Sequence, residues 1–96
     1  MTSPKQPTPH GISRLLGYAG FKRADRDSLT SSGFEVNGLS AGRVEVRWRP
    51  MSMGTSDAQR WARLDEYAKA ITETGYSAER DEHVCRLIVT ARKPEG

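Results

Sequence analysis

Arginine recurs at alternate positions in the first half of the chain, where residues 43–49 read RVEVRWR. Alternate side chains of a strand project to the same face, so Arg43, Arg47 and Arg49 share a face that Glu45 interrupts. Guanidinium groups bind phosphate oxygens through planar, paired hydrogen bonds. The spacing therefore predicts a sheet face that lies against the phosphate backbone of duplex DNA.

A second group of cations consists of Lys22, Arg23 and Arg26. They lie in residues 22–33, a stretch rich in Ser and Thr that is predicted to be a loop. The chain has a net charge of +3, which is unevenly distributed. Residues 1–50 hold eight Lys and Arg against four Asp and Glu, whereas residues 51–96 hold seven against eight. We therefore expect an anionic partner to meet the first half. The predicted nucleic-acid-binding residues are Arg43, Arg47, Arg49, Lys22, Arg23 and Arg26.

Two features of the arginine stretch favour an alternative without DNA. Exposed strands carry polar side chains because these resist aggregation, and Glu45 in the middle of the stretch fits that purpose. The face also has no aromatic pair on which bases could stack, which argues against single-strand binding. The alternative prediction is a protein-interaction or dimerisation module without catalytic activity.

Side chains suited to catalysis are few. The single cysteine, Cys85, lies in an apolar run, which predicts a small buried side chain and not a nucleophile activated by His83. Asp65–Glu66 falls on a polar helix face and Asp81–Glu82 in a turn, where carboxylates are normally solvated. The histidines and the cysteine lack zinc-ligand spacing, and no Gly-rich phosphate loop is present. We predict no enzyme activity, no cofactor and no metal.

The best-marked element is a helix between Ser56 and Gly75. Ser56 with Gln59 forms a capping-box pattern, and Gly75 is a typical residue just beyond a helix end. Its apolar stripe, with Tyr67 at the edge, predicts one buried face and consists of Trp61, Leu64, Ala68 and Ile71. A first, shorter helix begins at Thr8-Pro9 and ends by Gly20.

Four stretches read as strands, at residues 34–36, 43–49, 76–80 and 84–92. The turn residues between successive stretches predict two hairpins. The order α-β-β-α-β-β predicts an α+β fold: a single four-stranded antiparallel sheet with two helices on one face. The predicted centre of the core is Trp48, Trp61, Leu64, Ile71, Val46 and Leu87.

One domain accounts for the chain of 96 residues, which we divide into a disordered tail at 1–8, a domain at 9–93 and a tail at 94–96. The absence of a long apolar run predicts no membrane association, and a cytoplasmic location follows from the lack of a signal-peptide pattern. Val84 and Ile88 are apolar residues on the predicted wet face of the sheet. If uncovered, they form a patch for a protein partner or a homodimer.

Five segments, in their order along the chain, resemble small uncharacterised proteins of actinobacterial phages and mobile elements. The segments are HGISRLLGYAGF, GFEVNG, RVEVRWRP, WARLDEYAKAITETGYSAE and LIVTARKPE. The resemblance covers most of residues 10–93. It implies a phage or mobile-element setting, where small basic proteins are often DNA-binding or host-modulating accessories. It transfers no site residues.

Overall fold

Two helices and four strands make up the computed structural model, which describes residues 6–24, 32–50 and 54–91. The strands form one antiparallel sheet in the order β1-β2-β4-β3, which confirms the predicted fold class. The helices lie on one face of this sheet, as predicted. The elements are α1 (Pro9–Tyr18), β1 (Gly33–Gly38), β2 (Val44–Arg49), α2 (Asp57–Glu73), β3 (Tyr76–Asp81) and β4 (Arg86–Ala91).

Both helices begin at the predicted caps. The hydroxyl of Ser56 accepts a hydrogen bond from the Gln59 amide at 3.2 Å, and the Gln59 side chain accepts one from the Ser56 amide at 3.1 Å. This reciprocal pair satisfies two amides that the first turn of α2 leaves without helical partners. Thr8 caps α1 in the same way, through its bond from the Gly11 amide at 3.0 Å. Gly75, with φ of 105°, follows the end of α2.

The second hairpin differs from its prediction at the turn. The fourth strand begins at Arg86 and not at Val84, because Cys85 has a left-handed backbone with φ of 48° that interrupts extended pairing. The ladder between β3 and β4 accordingly starts with Asp81 opposite Arg86. Residue 92, the predicted end of this strand, lies outside the described residues, as do residues 1–5 and 94–96 of the predicted tails.

In the described part of the chain, one apolar cluster lies between the sheet and the two helices. The two tryptophans predicted at its centre lie at its margin, where Trp48 and Trp61 are half-buried. Tyr67, which the helical pattern places at the edge of the stripe, is 3% exposed and central. Its ring meets Phe21 edge-on at 4.8 Å and Phe34 at 6.0 Å between centroids. The buried cluster contains Ile12, Leu16, Phe34, Val36, Val44, Val46, Leu64, Tyr67, Ile71, Leu87 and Val89.

Residues 22–24 lie beside the start of β1 as a short parallel bridge. The Phe34 amide donates to the Lys22 carbonyl and the Phe34 carbonyl accepts from the Ala24 amide, both at 2.9 Å. Gly33 permits this approach, since a Cβ there would lie 2.3 Å from the Lys22 oxygen. Part of the predicted loop is therefore fixed against the sheet, while residues 25–31 lie outside the described part.

In the described part of the chain, no helix, α1 and α2 included, is long and apolar enough to span a bilayer.

Candidate nucleic-acid interface

The outer face of the sheet, turned away from the helices, is charged but not basic. Strand alternation and the register place seven charged side chains on it. Three are arginines and four are carboxylates, so within the strands this face carries no excess of positive charge. They are Arg47, Arg49, Arg86, Glu35, Glu45, Glu79 and Asp81.

Glu45 organises the centre of this face. It is only 7% exposed, although the sequence predicts a solvated residue there. Its carboxylate accepts from the Arg86 guanidinium, from Arg47 Nη2 at 3.2 Å and from Asn37 Nδ2 at 3.2 Å. Burial alone would raise the pKa of Glu45, but the bonds from Arg86 and Arg47 outweigh burial and lower it.

Arg86 links this carboxylate to a second one. Its Nε donates to Asp81 at 2.9 Å, and this bond holds the pKa of Asp81 below its usual value. The two carboxylates in turn raise the pKa of Arg86. Arg47 is drawn into the same network, and its Nε is buried with no hydrogen-bond partner among the described residues. Both arginines are therefore paired with carboxylates of the same face.

Four of the predicted binding residues meet at one corner, where β1 begins and β2 ends. Arg23 is bridged to Phe34, and Phe34 pairs with Trp48, whose chain neighbours are Arg47 and Arg49. Neighbouring strands lie about 4.8 Å apart, so the backbones of Arg23 and Trp48 are separated by roughly 10 Å. We call Lys22, Arg23 and Arg49 the basic corner, and Arg47 lies beside them but is paired with Glu45.

The structure does not bring the remaining two predicted residues to this corner. Arg43 precedes β2 at its opposite end, where its Nε donates to the Ser40 carbonyl at 3.2 Å. Six residues of extended chain place it about 20 Å from Arg49. Arg26 lies outside the described residues.

A small cleft of about 250 Å³ opens beside the basic corner. Its aromatic lining comes from Phe21, Trp48 and Tyr67, and its cations are Lys22 and Arg63. Arg63 is not among the predicted binding residues, because the sequence shows it only as one charge on the polar side of α2. Its ion pair with Glu66, at 3.6 Å, joins two side chains that are both more than half exposed. Such a pair contributes little and leaves Arg63 available.

The cleft holds a tyrosine that stays neutral well above physiological pH. Burial raises the pKa of Tyr67 to about 12, a rise that the nearby Arg63 opposes and Glu66 supports. The ring therefore contributes an apolar wall and a neutral hydroxyl, not an acid or base.

Cys85 lies in the β3–β4 turn and not on a strand, which corrects its predicted place. It is half-buried, and burial together with the Asp57 carboxylate raises the pKa of its thiol. A raised pKa reduces the thiolate fraction at neutral pH. His83 is in the same turn, where its amide donates to Asp81 Oδ1 at 3.2 Å. Among the described residues, no group of three His, Cys, Asp or Glu side chains is arranged to hold a metal.

The proposed apolar patch is divided between two settings. Val84 is in the turn and is 43% exposed, whereas Ile88 is half-buried on the outer face between Glu45 and Glu79. The helices cover the opposite face. Val84 is therefore exposed in a turn while Ile88 is partly covered on a strand, and the two side chains do not form one continuous strand surface.

Comparison with known proteins gives no relative from which a role can be transferred. No protein-family model matches the chain, and neither the curated proteins nor the solved structures give a match.

Proposed function

We propose that this chain is a small nucleic-acid-binding module that meets the phosphate backbone of duplex DNA through its basic corner. The observation that carries the proposal is the convergence of Lys22 and Arg23, both exposed, with Arg49 at the end of β2. Arg63 adds a fourth cation across the adjoining cleft. Long cationic side chains at one end of a sheet suit phosphates, which supply most of the affinity in sequence-independent binding.

The corner is a better candidate than the outer face of the sheet. Arg47 and Arg86 are engaged by Glu45, and a phosphate arriving at the face would meet four carboxylates. At the edge, Lys22 and Arg23 lie outside this network. With the resemblance to phage proteins, this favours a cytoplasmic accessory that binds DNA without catalysing a reaction.

A double variant, Lys22→Ala with Arg23→Ala, tests the corner directly. We expect it to weaken duplex binding to a similar degree for every DNA sequence, because phosphate contacts carry no base information. The slope of log K against log salt is expected to fall by roughly 2, one unit for each lost phosphate contact. Fluorescence anisotropy with a labelled duplex, from about 50 mM salt upward, measures both quantities.

The matched control is Arg43→Ala with Lys69→Ala, which removes the same charge from exposed positions outside the corner. It is expected to retain nearly wild-type affinity and slope. Equal losses of DNA affinity in the two double variants would show that only net charge matters and would contradict a specific role for the basic corner. Wild-type protein that fails to bind duplex DNA at about 50 mM salt, where electrostatic attraction is strongest, would overturn the proposed function.

A further inference from the structure

A groove of about 540 Å³ runs between the two helices on the side of the molecule formed by α1, the end of α2 and the start of β3. Its floor and walls are largely apolar, and a groove of this size accommodates side chains from another molecule. None of the basic-corner residues lines it. Its lining includes Arg14, Leu15, Tyr18, Ala70, Glu73 and Tyr76.

Tyr18 stands at the wall of this groove with 80% of its surface exposed, more than any other large apolar side chain in the described residues. Arg14 Nη2 donates to its hydroxyl at 2.9 Å, and the guanidinium carbon lies 5.7 Å from the ring centroid. The ring is thus held in place before any partner arrives. Exposed tyrosines with fixed rings are typical anchors of protein interfaces, since little side-chain entropy is lost on binding.

The two walls of the groove carry opposite charges. Arg14 is on the α1 wall and Glu73 is on the α2 wall. The bond from Arg14 to the Tyr18 phenol leaves the positive charge intact, because the phenol is neutral. A two-fold axis along the groove exchanges its walls between two copies, so the wall with Arg14 would face the wall with Glu73 of the other copy.

We propose that the groove binds a second copy of this chain in a two-fold symmetric dimer. The Tyr18 ring of each copy enters the apolar groove of its partner, and two equivalent Arg14–Glu73 pairs flank the rings. Opposite charges on matched walls favour self-docking in this register and oppose the reversed one. This dimer uses the helices, unlike a dimer through Val84 and Ile88, and it is independent of DNA binding.

Charge reversal on each wall tests this arrangement through oligomeric mass. Arg14→Glu alone would set two carboxylates against each other at both contacts, and Glu73→Arg alone would set two guanidinium groups together. We expect each variant by itself to self-associate at least about tenfold more weakly than the wild type. An equimolar mixture of the two restores both opposite-charge pairs and is expected to form a heterodimer of near wild-type affinity. Sedimentation velocity up to about 1 mM protein measures these equilibria.

Lys69→Glu and Glu82→Arg, at exposed positions outside the groove, are the controls and should leave dimerisation unchanged, alone or mixed. Wild-type protein that stays monomeric throughout the concentration range would overturn the proposal. So would a dimer that both charge reversals leave intact, because it would use another surface. Single variants that fail to associate and are not restored by mixing would contradict the two-fold pairing. None of these results depends on DNA.

Discussion

Among single residues, Glu45 has the largest influence on how the charges of the sheet are arranged. A buried carboxylate is costly unless several donors compensate it. Here Arg86, Arg47 and Asn37 supply them, and Asp81 shares Arg86. The result is a charged network that holds β1, β2 and β4 together across the outer face. It also withdraws two arginines from any external anion.

Replacing Glu45 with Gln tests the contribution of this network to stability. We expect a loss of about 1–3 kcal/mol in the free energy of unfolding at neutral pH, since charge-assisted hydrogen bonds to both arginines disappear. The folded-state pKa of Glu45 is lowered, so its stabilisation is present above the unfolded value of 4.5 and is lost as pH falls through the folded value. Urea unfolding at several pH values should show the difference between variant and wild type shrinking in acid.

Glu79→Gln is the control for this comparison. Glu79 is also on the outer face but is exposed. Its loss is expected to change the unfolding free energy by less than about 0.5 kcal/mol. A Glu45→Gln variant no less stable than this control would show that the network adds nothing.

The burial and partners of single charged residues are harder to predict from the sequence than the helices are. The alternation of RVEVRWR correctly separates Val44 and Val46 from Glu45 and Arg47. It does not reveal that Glu45 is buried, because its main donor, Arg86, is 41 residues away in the chain. Arg63 is missed for a related reason, since only the folded chain brings α2 next to Lys22 and Trp48.

Among the elements, the start of β1 depends on one glycine. Gly33 has φ of 144°, and the backbone of residues 22–24 lies where a side chain would be. Gly17, in the last turn of α1, is the opposite case, because a Cβ there would meet no atom within 4 Å. Glycine at this helical position lowers stability without a packing purpose.

The same substitution at these two sites should therefore act in opposite directions. Gly17→Ala is expected to stabilise the protein by about 0.5–1 kcal/mol through reduced entropy of the unfolded chain. Gly33→Ala is expected to destabilise it by at least about 2 kcal/mol, since the new methyl group displaces residues 22–24 and strains the backbone. Thermal or urea unfolding of both variants measures this contrast. Equal effects would contradict the close approach at Gly33.

Helix and strand assignments from the sequence are accurate where the signals are local. The caps at Thr8 and Ser56 and the stop at Gly75 depend on neighbours within three or four residues. The predicted start of β4 is wrong because apolar residues run through Val84 and Cys85, and nothing in their types predicts a left-handed backbone. The bridge at Arg23 is not predictable either, since it requires a glycine ten positions later.

At the scale of the whole molecule, the described residues form one buried core, to which both helices and β1, β2 and β4 contribute. Tyr76 and Ala78 of β3 pack against it. Tyr67 joins α2 to Phe21 and Phe34, and so connects the helix, the segment after α1 and β1. Chains of this size with a single core usually unfold in one cooperative step.

The two tryptophans allow the cooperativity of unfolding to be measured separately in the sheet and in a helix. Trp48 reports from β2, and Trp61 reports from α2, where Arg80 lies 4.7 Å from its ring. In Trp48→Phe and in Trp61→Phe, the remaining fluorophore is expected to give the same urea midpoint as circular dichroism of that variant. Fluorescence that changes before the circular dichroism in either variant would show that its element unfolds separately.

The pairing of residues 22–24 with Phe34 also covers one position on β1, an edge strand of the sheet. The edge strand of an open sheet offers backbone groups on which the strand of another molecule can form, and fibres grow by repeating that step. At Phe34 both groups are already bonded within the chain. The backbone groups of Phe34 are thus closed to a strand from another molecule, and the cations of the basic corner lie at the same end of the sheet.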